Sequence, residues 1–286
     1  MPISIVTPIY NRRHNLGLFL TALYAQTDRR FELVLADDGS DDNPLAVLAT
    51  WAGKLEVTYC WQPHAGFRAG QARNMGVKLA KNSHILFVDS DVLLNPCAIA
   101  HYHNLIEANP TPIIIGRYDW LPPMQITPDD VQHRWQDLVD CKLPRIQTAT
   151  HPGMDAGVDI RAKCSPSRFA DKRIWTTDYC LVMLSGNLLF PRSMFLELGG
   201  FDEQMVGHGG EDCELAMRAQ ERNLPVIFAD EVIGYHVFHE RNQARNLEEV
   251  ERNIAYIRSK HDLAALGVEH GTPTDLPLVA KEKHDS

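Results

Sequence analysis

The sequence has no apolar run long enough to cross a membrane. Its 286 residues are 44% hydrophobic, but charged side chains interrupt every apolar stretch before the roughly 18 to 20 residues that a spanning helix requires. The start does not resemble a signal peptide, because a strand-like run from Ile3 to Thr7 soon leads into Arg12 and Arg13. We therefore expect a soluble, cytoplasmic protein, whose contact with a membrane would be peripheral or through a partner.

Cysteine is also scarce. The six cysteines stand singly, without a Cys-x-x-Cys pair and without the dense spacing of small secreted domains. This pattern predicts reduced thiols.

Positive charge is in deficit. The chain has 28 Lys and Arg against 37 Asp and Glu, which gives a net charge of -9. Such a field repels nucleic acid and anionic membranes, so we expect no nucleic-acid partner. A phosphate-bearing substrate would need a cation to help hold it. The hydrophobic content is nevertheless enough for a sizeable core, which excludes a disordered or fibrous chain.

What the sequence does contain is an alternation of short β-rich runs with helical-period segments. This is the pattern of parallel strands joined by crossover helices. The runs are Ile3 to Thr7, Phe31 to Ala36, Leu55 to Cys60, Ile85 to Val88 and Ile113 to Ile115. The predicted fold class is therefore α/β, a single domain with a mixed, mainly parallel central sheet flanked by helices.

Two carboxylates follow the predicted strand that ends at Val88. Asp89 and Asp91 flank Ser90, and side chains at i and i+2 of an extended chain point the same way. Ligands of parallel α/β sheets bind beyond the carboxyl ends of the strands, where this pair falls. Oxygen ligands of this kind suit Mg²⁺ or Mn²⁺. A simple turn cap is the alternative explanation.

A second predicted strand ends in Asp37 and Asp38. An ordinary Asp-Gly turn would explain these residues, but two strands ending in carboxylates at one edge suggest a polar cleft. An Asp here could accept hydrogen bonds from a nucleobase imide or a ribose hydroxyl. The first strand brings further groups to this edge, namely Pro8, Tyr10, Asn11 and Arg12.

These motifs together resemble the family 2 glycosyltransferases of the GT-A (Rossmann-like) fold. Pro-Ile-Tyr-Asn-Arg, Asp-Asp-Gly-Ser and Asp-Ser-Asp stand in that family's order, and segment 66–76 looks like its glycine, arginine and asparagine element. The resemblance implies a nucleotide-sugar donor, usually a UDP-sugar. It implies Asp37 or Asp38 near the base, Asp89 near the ribose or the metal, and Asp91 on the metal.

The same resemblance places Arg68, Arg73 and Asn74 on the donor side. The two arginines would supply the positive charge that an acidic protein needs beside a diphosphate. Solvated helix surface is the alternative interpretation of both.

A second cluster lies downstream, where Gly209 and Gly210 precede Glu211 and Asp212. Glycines let a ligand approach the backbone, and carboxylates at a helix start could reach an acceptor hydroxyl, although acidic helix capping is the simpler explanation. Gly-Gly-Glu-Asp resembles the acceptor-side motif of the galactosyltransferase-like C-terminal module of β-galactosyltransferases and chondroitin-polymerase-type enzymes. The resemblance implies Asp212 as general base and Glu211 as a sugar contact. The remaining residues assigned to the acceptor are Asn187 and His208, which stands where many relatives carry Trp.

The third piece is a histidine segment at residues 232–239. Histidine on a strand is often only an edge residue, but imidazole beside two carboxylates makes a Mn²⁺ ligand set. The segment looks like the C-terminal metal-binding histidine segment of galactosyltransferase-type and polypeptide GalNAc-transferase enzymes. We expect His236 rather than His239 to be the ligand, together with Asp91 and Asp89.

The resemblance divides the chain into four parts. These are a nucleotide-sugar-binding half at 1–116, a variable loop and helix region at 117–180, an acceptor-binding and catalytic half at 181–245, and a C-terminal helix with a frayed tail at 246–286. A long loop at 142–173 is the candidate for a lid that orders when the donor binds, and a plain surface insertion is the alternative interpretation.

The predicted function is metal-dependent transfer of a sugar, with inversion, from a nucleotide sugar to a hydroxyl group. The acceptor would be a glycan, a lipid-linked sugar or another alcohol, and the cofactor Mn²⁺ or Mg²⁺. A retaining GalNAc-type transferase, a sugar-phosphate nucleotidyltransferase and a non-catalytic nucleotide-sugar binder are the alternatives. The residues Pro8 to Asn11 argue against the nucleotidyltransferase, which carries a glycine-rich basic loop at that place.

Overall fold

The computed structural model describes residues 2–146, 156–157, 159, 174–175, 179–239, 243–263 and 266. The strands within these residues are β1 (Ile3–Ile9), β2 (Phe31–Asp37), β3 (Val57–Trp61), β4 (His84–Val88), β5 (Val92–Leu94), β6 (Ile113–Trp120), β7 (Ile174–Trp175), β8 (Asn187–Pro191) and β9 (Val226–His236). The helices are α1 (Arg13–Tyr24), α2 (Pro44–Ala49), α3 (Ala69–Leu79), α4 (Ala98–Ala108), α5 (Pro128–His133), α6 (Trp135–Val139), α7 (Arg192–Glu197), α8 (Glu211–Glu221) and α9 (Gln243–Lys260). A 3-10 turn, Tyr179–Leu181, precedes β8.

All of these strands belong to one mixed sheet. Its order is β3-β2-β1-β4-β8-β6-β9-β5, and β7 pairs with β9. The block β3-β2-β1-β4 is parallel throughout, β8 runs antiparallel to both β4 and β6, and β9 is parallel to β6. The predicted α/β class is confirmed. Both the 1–116 and the 181–245 segments contribute strands to the same sheet, so the donor-side and acceptor-side motifs share one rigid frame.

The alternation of side chains along the strands builds an apolar layer on each face of the sheet. Ile5 of β1 belongs to a buried cluster with Phe19 of α1 and Tyr102 of α4. Val6, the next residue, belongs to a second cluster with Leu215 of α8. The period-2 pattern of β1 therefore requires helices on both faces. The i, i+3, i+4, i+7 spacing of four apolar residues predicts a helix with one apolar face between β1 and β2. In α1 all four are fully buried, namely Leu16, Phe19, Leu20 and Leu23.

Some of the later strands differ from the sequence-based prediction. The sequence from Pro225 to Ala229 and from Val232 to Phe238 predicts two short strands, but one strand, β9, covers Val226–His236, and its pairing with β6 shifts register between Gly116 and Arg117. Polar residues around Asp230 occupy this irregularity and resemble a turn in the sequence. Strand β5 was not predicted, because three residues carry too little pattern. It pairs antiparallel with β9 and places Val92 opposite His236.

The prediction that all cysteines are reduced is wrong at two positions. Cys180 and Cys213 form a disulfide across a sequence separation of 33 residues. The bond joins the 3-10 turn before β8 to the first turn of α8, where both residues pack with Met205, Met217 and Ile257. No spacing motif announces this pairing, because packing of two distant elements creates it. Cys60 and Cys97 carry free thiols.

Two predictions concern residues that the structure largely does not describe. The candidate lid at 142–173 lies outside the described residues except for 142–146, 156–157 and 159, and the C-terminal tail lies outside them from 267 onward. Among the helices that are described, none combines the length and the apolar character needed to span a membrane.

Candidate active site

The carboxyl ends of the parallel strands meet at one edge of the sheet. Ile9 at the end of β1 lies opposite Asp37 at the end of β2, and Asp37 lies opposite Trp61 at the end of β3. Strand β4 ends directly before Asp89. The loops that carry the donor-side motifs therefore converge at the edge where α/β proteins bind their ligands.

Two aromatic rings stack at this edge. Tyr10 and His64 lie nearly parallel, with ring centroids 4.1 Å apart and 7° between their planes. His64 Nδ1 is 3.1 Å from the backbone carbonyl oxygen of Asp38. Gly39 makes this approach possible, because it adopts a φ of +86° and a Cβ there would lie 2.3 Å from the backbone nitrogen of His64. The edge thus presents a flat π surface beside carboxylates.

Asp37 and Asp38 are buried and hydrogen-bonded. Asp37 accepts a 2.5 Å bond from the Tyr59 hydroxyl. Asp38 accepts bonds of 2.7 Å from Gln62, 2.9 Å from the Arg68 backbone N–H and 3.1 Å from the Arg68 guanidinium. The positive charge of Arg68 is therefore paired within the protein. The nucleobase contact of the two aspartates and the diphosphate contact of Arg68 stay predictions.

Asn11 shapes the same edge from the loop after β1. It has a left-handed φ of 49°, its side-chain oxygen accepts 2.9 Å from the Asp41 N–H, and its own N–H donates 3.0 Å to the Ser40 hydroxyl. Pro8 lies three residues before Asn11, in β1 opposite Ala36. These contacts tie the first donor-side motif to the second.

Three side chains form a candidate cation-binding cluster beside β5 and β9. The Oδ2 of Asp91 is 3.7 Å from His236 Nε2 and 3.1 Å from His239 Nε2, and one ligand atom of each residue lies within 4.8 Å of the others. The structure brings the predicted ligands Asp91 and His236 together. His239 lies closer to Asp91 than His236 does, so both histidines can belong to the ligand set, and the choice of His236 over His239 stays a prediction.

Positive groups surround the Asp91 carboxylate. Burial raises the pKa of Asp91. The charges of His236 and His239 and a hydrogen bond from His239 lower it by more, so the pKa lies well below its usual range. Arg12 Nε also lies 3.9 Å from Asp91 Oδ2, and Arg12 Nη2 lies 3.4 Å from His239 Nδ1. One carboxylate and two imidazoles fit Mn²⁺ better than Mg²⁺, which favours oxygen ligands alone.

Arg73 links the donor side to the acceptor side. Its Nη2 is 2.7 Å from Asp89 Oδ1, its Nη1 is 3.2 Å from Glu211 Oε1, and its side chain is only 4% exposed. Burial lowers the pKa of Arg73, but Asp89, Asp212 and Glu211 raise it by more, so the guanidinium stays charged. Arg73, which was expected beside a diphosphate, is thus already paired with carboxylates of the protein. Ser90 is buried beside Asp89.

Asp212 has the properties of a proton acceptor near neutral pH. Burial, followed by the charge of Glu211, raises its pKa to about 7, while Arg73 opposes the shift. Within the described part of the chain, Asp212 Oδ1 and the Ser185 hydroxyl are buried without hydrogen-bond partners. An interaction with the Ser185 side chain nevertheless lowers the pKa of Asp212. The unpaired Asp212 Oδ1 leaves a hydrogen-bond acceptor available to a ligand.

The acceptor-side glycine loop touches the donor-side segment directly. The Gly207 N–H donates 2.8 Å to the Phe67 carbonyl, and the Phe67 ring meets the His208 ring edge-on at 5.5 Å. Gly209 and Gly210 have φ values of +79° and +96°. The loop therefore follows a path that only glycines adopt easily, and it delivers Glu211 and Asp212 to the cleft.

Two predicted site residues lie in the interior. Asn187 is 1% exposed, and its amide bonds the carbonyls of Arg117 and Val232 and the hydroxyl of Tyr102. These bonds occupy its polar groups inside the sheet, and the acceptor contact of Asn187 stays a prediction. Asn74 makes a similar pair of bonds to the backbone N–H and carbonyl of Phe201, which fix the turn after α7, and its donor contact stays a prediction as well.

Four residues at the site were not predicted. His64 follows the end of β3, and its place after a strand end was the signal available for it. His239 was weighed and set aside. Phe67 lies within the predicted 66–76 segment, while Ser185 carries no sequence signal at all.

Two family models match the sequence. The model described as glycosyl transferase family 2 matches residues 4–143, and the model described as the N-terminal domain of galactosyltransferase matches residues 171–240. The two matches cover the donor-side and acceptor-side motifs respectively.

Named relatives are similar at modest identity. The chain is 28% identical to a validoxylamine A glucosyltransferase of Streptomyces hygroscopicus subsp. jinggangensis, over 91% of this chain and 61% of that protein. It is 26% identical to a chondroitin synthase of Escherichia coli, over 82% of this chain and 34% of that protein. The chain thus spans less than two thirds of the length of either relative.

Solved structures share the fold. S. aureus TarS 1-349 in complex with UDP-GlcNAc superposes with a TM-score of 0.63 at 16% identity, covering 91% of this chain and 66% of that one. GalNAc-T7 with UDP, GalNAc and Mn²⁺ superposes with a TM-score of 0.64 at 16% identity, covering 89% and 48%.

Proposed function

Because the chain belongs to glycosyl transferase family 2, we propose that it transfers a sugar from a nucleotide-sugar donor to a hydroxyl acceptor. One observation carries this proposal. A carboxylate with a pKa of about 7, Asp212, shares one charge network with the buried Arg73 and with Asp89, which is two residues from the cation-binding cluster. Proton acceptance and diphosphate binding are the two requirements of this reaction, and these groups support a role in each.

The cation-binding cluster would hold Mn²⁺ through Asp91, His236 and His239. A bound cation supplies positive charge to the diphosphate that departs with the nucleoside. A diphosphate would need this positive charge because the chain carries a net charge of -9. The two arginines expected to supply positive charge, Arg68 and Arg73, are paired with carboxylates of the protein, namely Asp38, Asp89 and Glu211.

The Tyr10–His64 stack would receive the nucleobase. Its rings are 4.1 Å apart and lie next to the buried Asp38, so a planar base can lie against an aromatic face near polar groups. UDP-GlcNAc in the TarS complex and UDP in the GalNAc-T7 complex favour a uridine nucleotide.

Asp212 would act as the general base in an inverting displacement. The acceptor oxygen attacks the anomeric carbon, the bond from that carbon to the diphosphate oxygen breaks, and the acceptor proton passes to Asp212. Glu211, held by Arg73 at 3.2 Å, would contact the sugar. The unsatisfied Asp212 Oδ1 supports this role, since a carboxylate that must receive a proton cannot be saturated with donors.

Release of UDP tests the proposal. The chain is incubated with a panel of UDP- and GDP-sugars, with Mn²⁺, with Mg²⁺ and with a chelator, and nucleotide release is followed with and without glycoside acceptors. We expect release from at least one UDP-sugar, faster with Mn²⁺ than with Mg²⁺ and abolished by chelation. Binding of donors with no release under any condition would instead support a non-catalytic binder. The anomeric configuration of the product, read by NMR, separates inversion from retention.

A further inference from the structure

The C-terminal helix α9 lies against the acceptor-side glycine loop, and its contacts are mostly with the loop backbone. The His208 N–H donates 2.8 Å to Glu249 Oε2, and Asn253 Nδ2 donates 2.8 Å to the Gly209 carbonyl. Arg252 donates 2.5 Å to the carbonyl of Val206. One helix therefore bonds the loop backbone at three residue positions, 206, 208 and 209.

Steric contacts complete this arrangement. A Cβ at Gly207 would lie 2.5 Å from Arg252 and 3.0 Å from Glu249, and one at Gly210 would lie within 3.4 Å of Asn253. Asn253 itself is only 4% exposed. The loop is therefore held between α9 and the Phe67 carbonyl, which accepts the Gly207 N–H on the donor side.

The far end of α9 is anchored to α8, the helix that carries Asp212. Lys260 lies 2.6 Å from Glu214, whose side chain is fully buried, and 2.5 Å from Asp202. His261, just past the end of α9, lies 2.7 Å from Glu221. The C-terminal end of α9 thus contacts α8, and the middle of α9 contacts the loop before α8.

We infer that α9 positions the acceptor loop, with Glu249 and Asn253 as positioning residues that set where His208 and the carboxylates after Gly210 stand. The inference rests on the proposed function for its catalytic consequence. Its physical basis is independent, because a loop with three glycines at positive φ has little conformational preference of its own and takes its shape from what bonds it. The C-terminal helix is therefore part of the acceptor site.

The test uses two substitutions that remove a hydrogen bond to the loop, one conservative substitution and two controls. Asn253→Asp replaces the donating amide by an oxygen that faces the Gly209 carbonyl, and Glu249→Ala removes the acceptor of the His208 N–H. Glu249→Gln keeps an acceptor oxygen and should restore wild-type behaviour. Glu251→Ala and Arg258→Ala, on the exposed side of α9, are the matched controls.

The first measurement is amide hydrogen exchange in peptides that cover 206–210, on the full chain without ligand. We expect faster exchange there in Asn253→Asp and Glu249→Ala, with β1, β4 and α3 unchanged, and wild-type exchange in Glu249→Gln. Faster exchange throughout the chain, or an unchanged exchange rate at 206–210, would overturn the inference. This result does not depend on the chain being an active transferase.

The second measurement compares transfer with hydrolysis. With UDP-glucose and Mn²⁺, transfer to p-nitrophenyl β-glycosides of glucose, galactose, N-acetylglucosamine and glucuronic acid is measured beside UDP release to water. Loss of one buried hydrogen bond should lower kcat/KM for the acceptor about tenfold, while hydrolysis and donor Kd stay unchanged. An equal fall in hydrolysis would mean that α9 merely supports the fold. A wild-type chain that releases no nucleotide would refute the proposed function, and the exchange result would still decide the role of α9.

Discussion

Replacing Asp212 by asparagine tests the centre of the proposed mechanism. Asp212→Asn preserves the shape of the side chain and removes its capacity to take a proton. General bases contribute about 10² to 10⁴-fold to the rate, so we expect kcat/KM for the acceptor to fall by that factor, or about 3 to 5 kcal/mol of activation free energy. Donor binding should persist, because the Mn²⁺ ligands and the Tyr10–His64 stack are untouched.

The pH profile gives the same test a second axis. Because the pKa of Asp212 is raised to about 7, activity of the wild-type chain should rise with pH through that value and level off above it, as the carboxylate loses its proton. The asparagine variant should lack this ascending limb. Nucleotide release at saturating donor, measured between pH 5.5 and 8.5, follows both.

Stability should move in the opposite direction to activity. The folded pKa of Asp212 lies above its ordinary value of 3.8, so the folded state holds the proton more tightly than the unfolded chain does. The resulting stabilisation is complete below the ordinary pKa and is lost as pH rises through about 7. At pH 8 the ionised carboxylate therefore destabilises the fold, by about 4 kcal/mol as an upper bound. Solvent in the cleft reduces this figure.

Asp212→Asn should accordingly raise Tm at pH 8, where the wild-type carboxylate is charged, and change it little at pH 5. Asp129→Asn, an exposed aspartate on α5, is the matched control and should alter neither activity nor Tm. Retained turnover in Asp212→Asn would remove Asp212 from the mechanism. An unchanged Tm at pH 8 would refute the claim that burial raises its pKa.

Three further predictions concern the surroundings of the base. Each of Asp91→Ala, His236→Ala and His239→Ala should weaken Mn²⁺-dependent UDP binding by about tenfold or more, as measured by calorimetry with and without Mn²⁺; unaltered binding in His239→Ala would restore His236 as the sole histidine ligand. The Arg73→Met substitution should lower the free energy of unfolding by about 3 to 5 kcal/mol, because it leaves Asp89 and Glu211 near each other without their cation. Urea denaturation measures this loss. A loss below about 1 kcal/mol would contradict the prediction. Reduction of the Cys180–Cys213 bond, which closes a separation of 33 residues, should lower the free energy of unfolding by about 3 to 4 kcal/mol in the chain-entropy model; the Cys213→Ala variant should match the reduced wild type and be insensitive to dithiothreitol.

The motif-bearing strands were predictable because their signals are local. An apolar strand ending at Val88 followed by Asp89 and Asp91 can be identified from consecutive residues, and the same holds for the strand that ends in Asp37. Parallel pairing then brings such strand ends to one edge without further information. The period of α1 likewise determined which of its residues are buried.

Contacts between distant segments were decided only by the tertiary structure. Whether His239 reaches Asp91 depends on β5, a strand of three residues with no recognisable pattern, pairing with β9. Arg73 became a link between Asp89 and Glu211 because α3 and α8 pack on the same face of the sheet. Asn187 carries a polar side chain whose partners the sequence does not specify, and its three interior hydrogen bonds are visible only in the structure.

The sequence by itself determined the elements, the acidic strand ends and the family, because these depend on residues close together along the chain. The tertiary structure decided which charges neutralise one another, which cysteines pair and which helix supports the acceptor loop. The physical reason is that electrostatic and hydrogen-bond energies depend on distances of a few ångströms in space, and sequence separation does not specify those distances.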